Sequence, residues 1–380
     1  MRPVVGKHDL RARRNRIMHP ALQPFVFERA GIEVRNRCVL AAMTNKQSHE
    51  SGEISEAEVR WLEARARGGF GMVFTAATHV EADGKGWNGA FATYSDAFLP
   101  GMTTMAHSIK KHGALAMAQL FHGGIRAPEE LTGVQPKSAS THTVPPNITA
   151  RAMEEQEILA TVRAFGQAAR RCEQAGFDGI ELHGAHGYLI SQFLGPTSNQ
   201  RTDAWGGSCE ARHRFLAAVV REVRQQTTPN FLVGVRLSPV QTSTGITLSD
   251  AMETTKFCLT WGLDFLHISC WDINEEGTLD HRTQRFTEWC AEWLNGNLPL
   301  ITTGGIWTAK DAENGLIQGA DFVGVARAGI GHHNWPSYLT KGATEPSRPP
   351  FSTTHLQNQA LSPVFIDYMR RWQGFVHEER

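Results

Sequence analysis

The chain has 380 residues, of which 41% are hydrophobic, 9% aromatic and 20% charged, a composition typical of a folded globular protein. Its 38 basic side chains balance its 38 acidic ones, which argues against nucleic acid or an anionic membrane surface as a partner. No apolar run approaches the roughly 20 residues that a bilayer-spanning helix requires, so we expect no membrane partner either.

Residues 1–20 are predicted to be a disordered extension. The stretch is basic and lacks the apolar core of a secretory signal peptide. A transit peptide, or an upstream start with Met18 as the natural first residue, are the alternatives. The six cysteines form no C-x-x-C pair, which argues against an iron–sulfur cluster or a zinc ribbon and predicts a cytoplasmic location.

Eight short apolar runs rich in Val, Ile and Leu follow along the chain and predict strands that are covered on both faces. They are residues 38–43, 71–77, 115–122, 179–183, 232–238, 265–270, 299–305 and 322–328. Amphipathic stretches between them predict helices over residues 55–67, 96–112, 153–175, 209–226, 248–261 and 308–318. This alternation predicts an α/β fold, a (β/α)8 TIM barrel over residues 21–345, with a doubly wound sheet as the alternative.

Two segments interrupt the alternation. Residues 123–152, between strands three and four, are rich in Pro, Thr and Ser and too long for a plain connection, so they are predicted to form a lid over the barrel. Residues 346–380 are predicted to form a C-terminal tail with a helix over 363–376. We predict that this tail packs on the barrel or in the interface of a homodimer or higher homo-oligomer; arginines 370 and 371 are assigned no contact with substrate.

The fourth predicted strand ends in a cluster of groups that can bind and protonate an oxygen-bearing substrate. His183, His186 and Tyr188 lie within six positions, and Gly184 and Gly187 between them allow the backbone to turn sharply. Neutral imidazoles can donate hydrogen bonds to a carbonyl oxygen, and a phenol stays protonated at neutral pH. The cluster therefore predicts the reduction of an activated double bond, with Tyr188 as the proton donor.

A metal site is the alternative interpretation of the two histidines. The spacing H-x-x-H also occurs in zinc sites, and a metal-dependent TIM-barrel hydrolase would use His183 and His186 as ligands. The pattern H-E-x-x-H is absent, and the pair follows a strand instead of lying within a helix. We therefore predict no metal site.

The ends of strands seven and eight predict a phosphate site. Gly304 and Gly305 follow Thr303 at the end of strand seven, where a glycine backbone can approach a phosphate closely. Ala326 and Arg327 follow strand eight, and a guanidinium can bind phosphate through paired hydrogen bonds. Phosphate often binds at these two loops in a (β/α)8 barrel.

From about residue 34 to 331 the chain resembles the old yellow enzyme family of FMN-dependent ene-reductases, in its bacterial branch with two histidines. The resemblance rests on the run Ile180–Leu189 and its continuation to Ser208, and on the motifs at the ends of the other strands. It implies noncovalent FMN, with NADPH or NADH as the reductant. It also implies that the small-molecule substrate is an α,β-unsaturated carbonyl or nitro compound whose oxygen His183 and His186 hold.

The same resemblance implies which residues contact the flavin. Thr44 would bond flavin O4, Ala77 would face N5, Gln119 would pair with the pyrimidine edge, and Arg236 would lie beside N1 and O2. The remaining members of the implied cofactor site are Ala42, Met43, Gly304, Gly305, Ala326 and Arg327.

The chain departs from the family pattern at three places: Ala41-Ala42 replaces a pair with proline, Ala326 replaces glycine, and Lys46 stands where many relatives have a substrate-pocket tyrosine. Lys46 is therefore assigned to substrate binding, and substrate scope cannot be copied from relatives. A dienoyl-CoA-reductase-like or demethylating flavoenzyme, or a flavin-binding protein without turnover, are the remaining alternatives. The Arg201–Asp203 pair is predicted to brace the loop after His186.

Overall fold

The computed structural model describes residues 18–377, and its centre is a closed barrel of eight parallel strands. We number these barrel strands β1 to β8: Cys38–Leu40, Met72–His79, Leu115–Phe121, Gly179–Gly184, Leu232–Leu237, Phe265–Ser269, Leu300–Thr303 and Phe322–Val325. Each strand pairs with the next, and β8 closes the barrel by pairing with β1. The (β/α)8 prediction is confirmed.

An outer helix follows each barrel strand, and we number these α1 to α8: Glu56–Arg67, Leu99–Lys110, Glu155–Gln174, Cys209–Gln226, Leu248–Cys258, Phe286–Leu294, Ala309–Ile317 and Arg327–Gly331. A further short helix, Leu189–Leu194, lies between β4 and α4. Local sequence explains their ends. Ser55 caps the first turn of α1 by accepting from the backbone N–H of Glu58. Gly113, just after α2, has φ of 77°, a left-handed conformation that suits the end of a helix.

The strands are buried on both faces, as their continuous apolar character predicts. All eight residues of β2 are buried. The N-terminal end of the barrel is closed by a hairpin of two strands, Phe25–Phe27 and Ile32–Val34, whose Phe27 ring stacks on Phe322 at 5.4 Å. Because the hairpin closes this end, a site is expected at the opposite end, where the C-terminal ends of the strands lie.

The insertion after β3 forms a short helix, Glu129–Thr132, and three strands, Lys137–Ser138, His142–Val144 and Ile148–Ala152. Arg201 holds it by donating to the carbonyl oxygens of Ala139 and Met153, each at 2.8 Å, while it pairs with Asp203 at 2.6 Å. The predicted local pairing of Arg201 with Asp203 is thus confirmed, whereas their bracing of the active-site loop stays a prediction. That the insertion is a lid stays a prediction.

The tail contains the helices Thr353–Asn358 and Pro363–Arg370 and a small parallel pair of strands, Phe351–Ser352 and Val376–His377. The second helix ends at Arg370, so the predicted continuation to residue 376 is wrong, because a turn and the Val376–His377 strand follow it. Phe365 packs edge-on against Trp61 of α1 at 5.1 Å. The tail therefore packs on the barrel of its own chain.

At the N-terminus, residues 1–17 of the predicted extension lie outside the described residues. His19 and Pro20 belong to the fold, since Pro20 begins a short 3-10 helix, Pro20–Leu22, that His19 caps. His19 and Pro20, which were assigned to the extension, therefore belong to the described fold. In residues 18–377, no helix combines the length and the apolar character needed to cross a membrane.

Candidate active site

A cavity of about 420 Å³ opens at the end of the barrel where the strands terminate. This volume is within the range that small-molecule and cofactor sites occupy. Eight of the predicted site residues line it: Met43, Thr44, His186, Arg236, Gly304, Gly305, Ala326 and Arg327. Six others are not among its lining residues: Ala42, Ala77, Gln119, His183, Tyr188 and Lys46.

Three of those six, Ala42, His183 and Lys46, contact a residue that lines the cavity. The carbonyl oxygen of Ala42 accepts from Arg236 at 3.1 Å, and His183 contacts His186. Ala77 and Gln119 are register partners on β2 and β3. The Lys46 Nζ lies 5.3 Å from the ring centroid of Tyr368, a cavity residue, so Lys46 is placed beside the tail.

The three residues predicted to do the chemistry form one cluster after β4. His183 is the last side chain before the strand ends at Gly184, and His186, with φ of 60°, turns back toward it. Their rings face each other edge to face at 5.0 Å, and the Tyr188 ring lies 4.8 Å from that of His183. The turn at His186 and Gly187 thus gathers two imidazoles and a phenol in one place.

Burial sets the protonation of this cluster. Desolvation, helped by the positive charges of Arg236 and Arg126, lowers the pKa of His186 to about 3. The pKa of His183 is also lowered well below its usual value, mainly by burial. Burial raises the pKa of Tyr188, although the nearby Arg126 opposes this. Near neutral pH both imidazoles are therefore neutral and the phenol carries its proton.

Arg236, on β5, supplies a fixed positive charge to the cavity. Its two terminal nitrogens donate to the Ala42 carbonyl at 3.1 Å and to Ser269 Oγ at 3.0 Å. Its Nε is buried and has no hydrogen-bond partner within the described part of the chain. A buried N–H without an acceptor is costly, so this group fits a ligand that brings an acceptor.

The predicted phosphate loops lie at the same cavity. Gly304 and Gly305 have φ of 150° and 66°, and a Cβ at Gly304 would lie 2.6 Å from the Cys270 carbonyl oxygen, so the backbone needs glycine there. The Arg327 guanidinium lies 5.4 Å from the ring centroid of Trp271. These residues and the unpartnered Nε of Arg236 fit a cofactor such as FMN, which has a planar ring system and a phosphate.

A buried polar chain inside the barrel was not predicted. Gln119 Nε2 donates to Glu181 Oε1 at 2.6 Å, and the other Glu181 oxygen lies 2.6 Å from His267 Nδ1. His267 Nε2 lies 2.6 Å from the hydroxyl of Thr303, a cavity residue. A signal was present, because Glu181 interrupts an apolar strand two positions before His183 and so faces the same side.

The tail also contributes to the site, which was not predicted either. Tyr368, Met369 and Trp372 line the cavity, and Trp372 lies 6.4 Å from Trp271 of the β6–α6 loop. No local motif marks these residues, because their position depends on how the Pro363–Arg370 helix packs against the barrel.

The metal interpretation finds no support from side-chain placement. Among residues 18–377, the only group of three side chains spaced to bind a metal is Glu81, Asp83 and His122, which excludes His183 and His186. The Lys137 Nζ already lies 3.2 Å from Glu81 and 2.9 Å from Asp83. Its ammonium group therefore supplies the positive charge that a metal ion would supply there.

Comparison with known proteins gives a consistent picture. A model of the NADH:flavin oxidoreductase / NADH oxidase family matches residues 22–345. A probable NADH-dependent flavin oxidoreductase, YqiG of Bacillus subtilis (strain 168), is 39% identical over 366 residues, 94% of this chain and 97% of that protein. An NADH:fumarate oxidoreductase of Klebsiella pneumoniae is 34% identical over 84% of this chain, which spans only 36% of that longer relative.

A solved structure shows the same fold. The old yellow enzyme homologue of Zymomonas mobilis superposes with a TM-score of 0.78 at 24% sequence identity, covering 92% of this chain and 99% of that one.

Proposed function

The chain belongs to the NADH:flavin oxidoreductase / NADH oxidase family, and from this we propose that it reduces activated C=C bonds of α,β-unsaturated carbonyl or nitro compounds. It is an NAD(P)H-dependent flavin oxidoreductase of the old yellow enzyme type that binds FMN. The observation that carries the proposed substrate class is the cluster of His183, His186 and Tyr188 beside a cavity with a fixed positive charge.

The two histidines serve as donors to the substrate oxygen. Both imidazoles are neutral near pH 7, so each can donate one N–H to a carbonyl or nitro oxygen. Withdrawing electrons through this oxygen makes the β-carbon of the double bond electrophilic. When bound, FMN supplies the two-electron step, taking a hydride from NADH or NADPH and delivering a hydride to that β-carbon.

Tyr188 supplies the proton that completes the reaction. Its phenol is next to His183 and is kept protonated by burial, so it can give its proton to the α-carbon and recover one from water. The product has gained one hydride and one proton across the former double bond, which balances the loss of hydride from the reductant.

Arg236 and the strand-end loops are the proposed holders of the cofactor. Gly304, Gly305 and Arg327 would bind the phosphate, and Arg236 would lie at the ring, where a cation stabilises negative charge on the reduced cofactor. Thr44, Ala42, Met43, Ala77, Gln119 and Ala326 complete this proposed site. Lys46 remains a proposed substrate contact, through its position beside Tyr368. A cytoplasmic location is also proposed, since all six cysteines are free.

One experiment tests the proposal. The purified protein, reconstituted with FMN, should show a flavin spectrum, and heat or acid should release FMN because it is held noncovalently. NADH and NADPH oxidation is then followed with enones, maleimides and nitroalkenes under anaerobic conditions. Flavin that is reduced by NAD(P)H but not reoxidised by any of these acceptors would overturn the substrate class. Failure to bind FMN would overturn the cofactor site.

A further inference from the structure

Glu181 stands at the centre of the buried polar chain, and its surroundings decide what it can do. It is fully buried on β4, opposite Gln119 of β3 in the strand register. One of its oxygens accepts from Gln119 and the other pairs with His267. A carboxylate with both oxygens engaged is costly to bury unless these partners are retained, so the arrangement is tightly specified.

The contacts fix the orientation of the Gln119 amide. A carboxylate can only accept hydrogen bonds, so the Gln119 nitrogen must face Glu181. The amide carbonyl oxygen then points the other way. The pyrimidine edge of a flavin presents an N–H between two carbonyl oxygens. The orientation of the Gln119 amide therefore decides whether Gln119 accepts from this N–H or donates to a carbonyl oxygen.

The same argument fixes His267. Burial lowers its pKa, so the ring is neutral, and its single N–H must be on Nδ1, facing the carboxylate. Its Nε2 then accepts from the hydroxyl of Thr303 at 2.6 Å. A chain of three hydrogen bonds therefore runs from Gln119 on β3 to Thr303 on β7, next to the glycines of the phosphate loop.

Glu181 also carries the negative charge that faces Arg236. Glu181 is the register partner of Gly234 on the neighbouring strand β5, and Arg236 follows Gly234 by two residues, so the two side chains lie on the same face of adjacent strands. The carboxylate accordingly opposes the fall that burial causes in the pKa of Arg236. Arg236 lines the cavity, whereas Glu181 is not among its lining residues. In a poorly solvated interior such a charge acts over a longer distance than in water.

We propose that Glu181 is a positioning residue that orients Gln119 and offsets the charge of Arg236, and thereby sets the affinity for FMN and the reduction potential of the bound flavin. This proposal rests on the proposed placement of the cofactor. It assigns Glu181 no contact with substrate. The negative charge makes it harder to add electrons to the flavin and so keeps reduced FMN a strong hydride donor.

The test compares Glu181→Gln with a matched control, Asp264→Asn. Asp264 is also a buried carboxylate, but it lies at the opposite end of the barrel, just before β6, where it pairs with Arg29 and Arg224 at 2.6 Å. FMN binding to the apoprotein is measured by quenching of flavin fluorescence, and the reduction potential is measured by equilibration with reference dyes.

For Glu181→Gln we expect a higher reduction potential, because a buried negative charge is gone. We also expect a dissociation constant for FMN that rises roughly 5- to 150-fold, because one buried hydrogen bond is lost. Asp264→Asn should lower thermal stability and leave the potential and the FMN affinity at the parental values. Equal potentials and FMN affinities in Glu181→Gln and the parent would overturn the proposal.

A second variant keeps the proposal testable if Glu181→Gln does not fold. His267→Gln retains the carboxylate but removes the imidazole that fixes it, and it should weaken FMN binding relative to Asp264→Asn. Unchanged FMN binding in His267→Gln would overturn the positioning role. In both cases the parent protein is assayed for FMN reduction and enone turnover, so failure of the proposed function is detected separately.

Discussion

The Nδ1 atom of His186 lies 3.3 Å from the Nε2 atom of His183, so the two imidazoles bond to each other. His186 also lies 2.9 Å from Ser269 Oγ through its Nε2. Two neutral rings share one hydrogen between them in such a contact, so one donates and the other accepts. A substrate oxygen that receives a hydrogen bond from both rings must therefore replace this contact. Before a substrate binds, the two imidazoles are hydrogen-bonded to each other.

The first prediction concerns these donors. His183→Ala or His186→Ala should lower the rate of enone reduction by about 10²–10³-fold, because each removes a hydrogen bond to the developing negative charge. Flavin reduction by NAD(P)H should fall less. Stopped-flow measurement of the two half-reactions separates these rates, and His142→Ala, in the insertion, serves as the control. Parental enone rates in both variants would contradict the donor role.

The second prediction concerns the proton donor. Tyr188→Phe should retain FMN and its reduction by NAD(P)H, and should lose about 10²–10⁴-fold in the reduction of simple enones, because the general acid is absent. The loss should be smaller for nitroalkenes, whose reduced nitronate products can be protonated by water. Tyr338→Phe is a suitable control, since the Tyr338 hydroxyl bonds His332 at 3.2 Å, outside the cluster. Equal losses in both half-reactions would mean that Tyr188 only shapes the pocket.

The barrel could be predicted because its strands are buried on both faces, which leaves mainly apolar runs such as residues 71–77 in the sequence. The length of the tail helix could not be predicted from the sequence. The amphipathic pattern continues past Arg370, but the chain then turns, and the Val376–His377 strand pairs with Phe351–Ser352. That pairing joins residues far apart in sequence, which no local pattern records.

Residues at or beside the cavity could be predicted where a motif coincides with the end of a strand, as at His183 and Arg236. Tyr368 and Trp372 reach the cavity through tertiary packing of the tail, and so local sequence carries no sign of it. Glu181 left a sign, a carboxylate within an apolar strand, but its partner His267 lies two barrel strands away along the chain. Such a pairing depends on closure of the barrel.

The third prediction concerns pH and stability. His79 and His186 have pKa values lowered to about 3 by burial, and that of His183 is lowered too. In the unfolded chain a histidine has a pKa of about 6.5, so between pH 3 and 6.5 the unfolded state binds more protons. The free energy of unfolding should therefore fall as the pH drops below about 6.5, and these groups should contribute no change above it.

Urea denaturation at several pH values between 4.5 and 7.5 measures this dependence. His79→Gln should reduce the slope of stability against pH in the acid range by up to one proton, because one buried neutral imidazole is removed. An exposed histidine of α2, His107, provides the control variant His107→Gln. The same slope in His79→Gln and in the parent would show that His79 does not contribute.

The fourth prediction concerns the tail, which has an inner and an outer side. Phe365, Ile366 and Met369 are buried against the barrel. Trp372 is 40% exposed, and its neighbour Trp271 is 66% exposed. Truncation after Ser362 should lower the melting temperature, because it removes the buried side chains and opens the cavity. Because the opening of the cavity is altered, the KM values for enones of different size should change.

Trp372→Ala separates the packing of the tail from its outer surface, since it leaves the buried residues in place. If the tail takes part in a homodimer, as we predict, an exposed pair of large aromatic rings is a surface that a second copy would cover. Sedimentation should then show a smaller mass for Trp372→Ala at a nearly parental melting temperature. Trp293→Ala, at a partly buried ring stacked on Trp289 of the same helix, is the matched control. An unchanged mass together with a changed KM for bulky enones would assign Trp372 to the cavity alone, and the dimer prediction would be wrong.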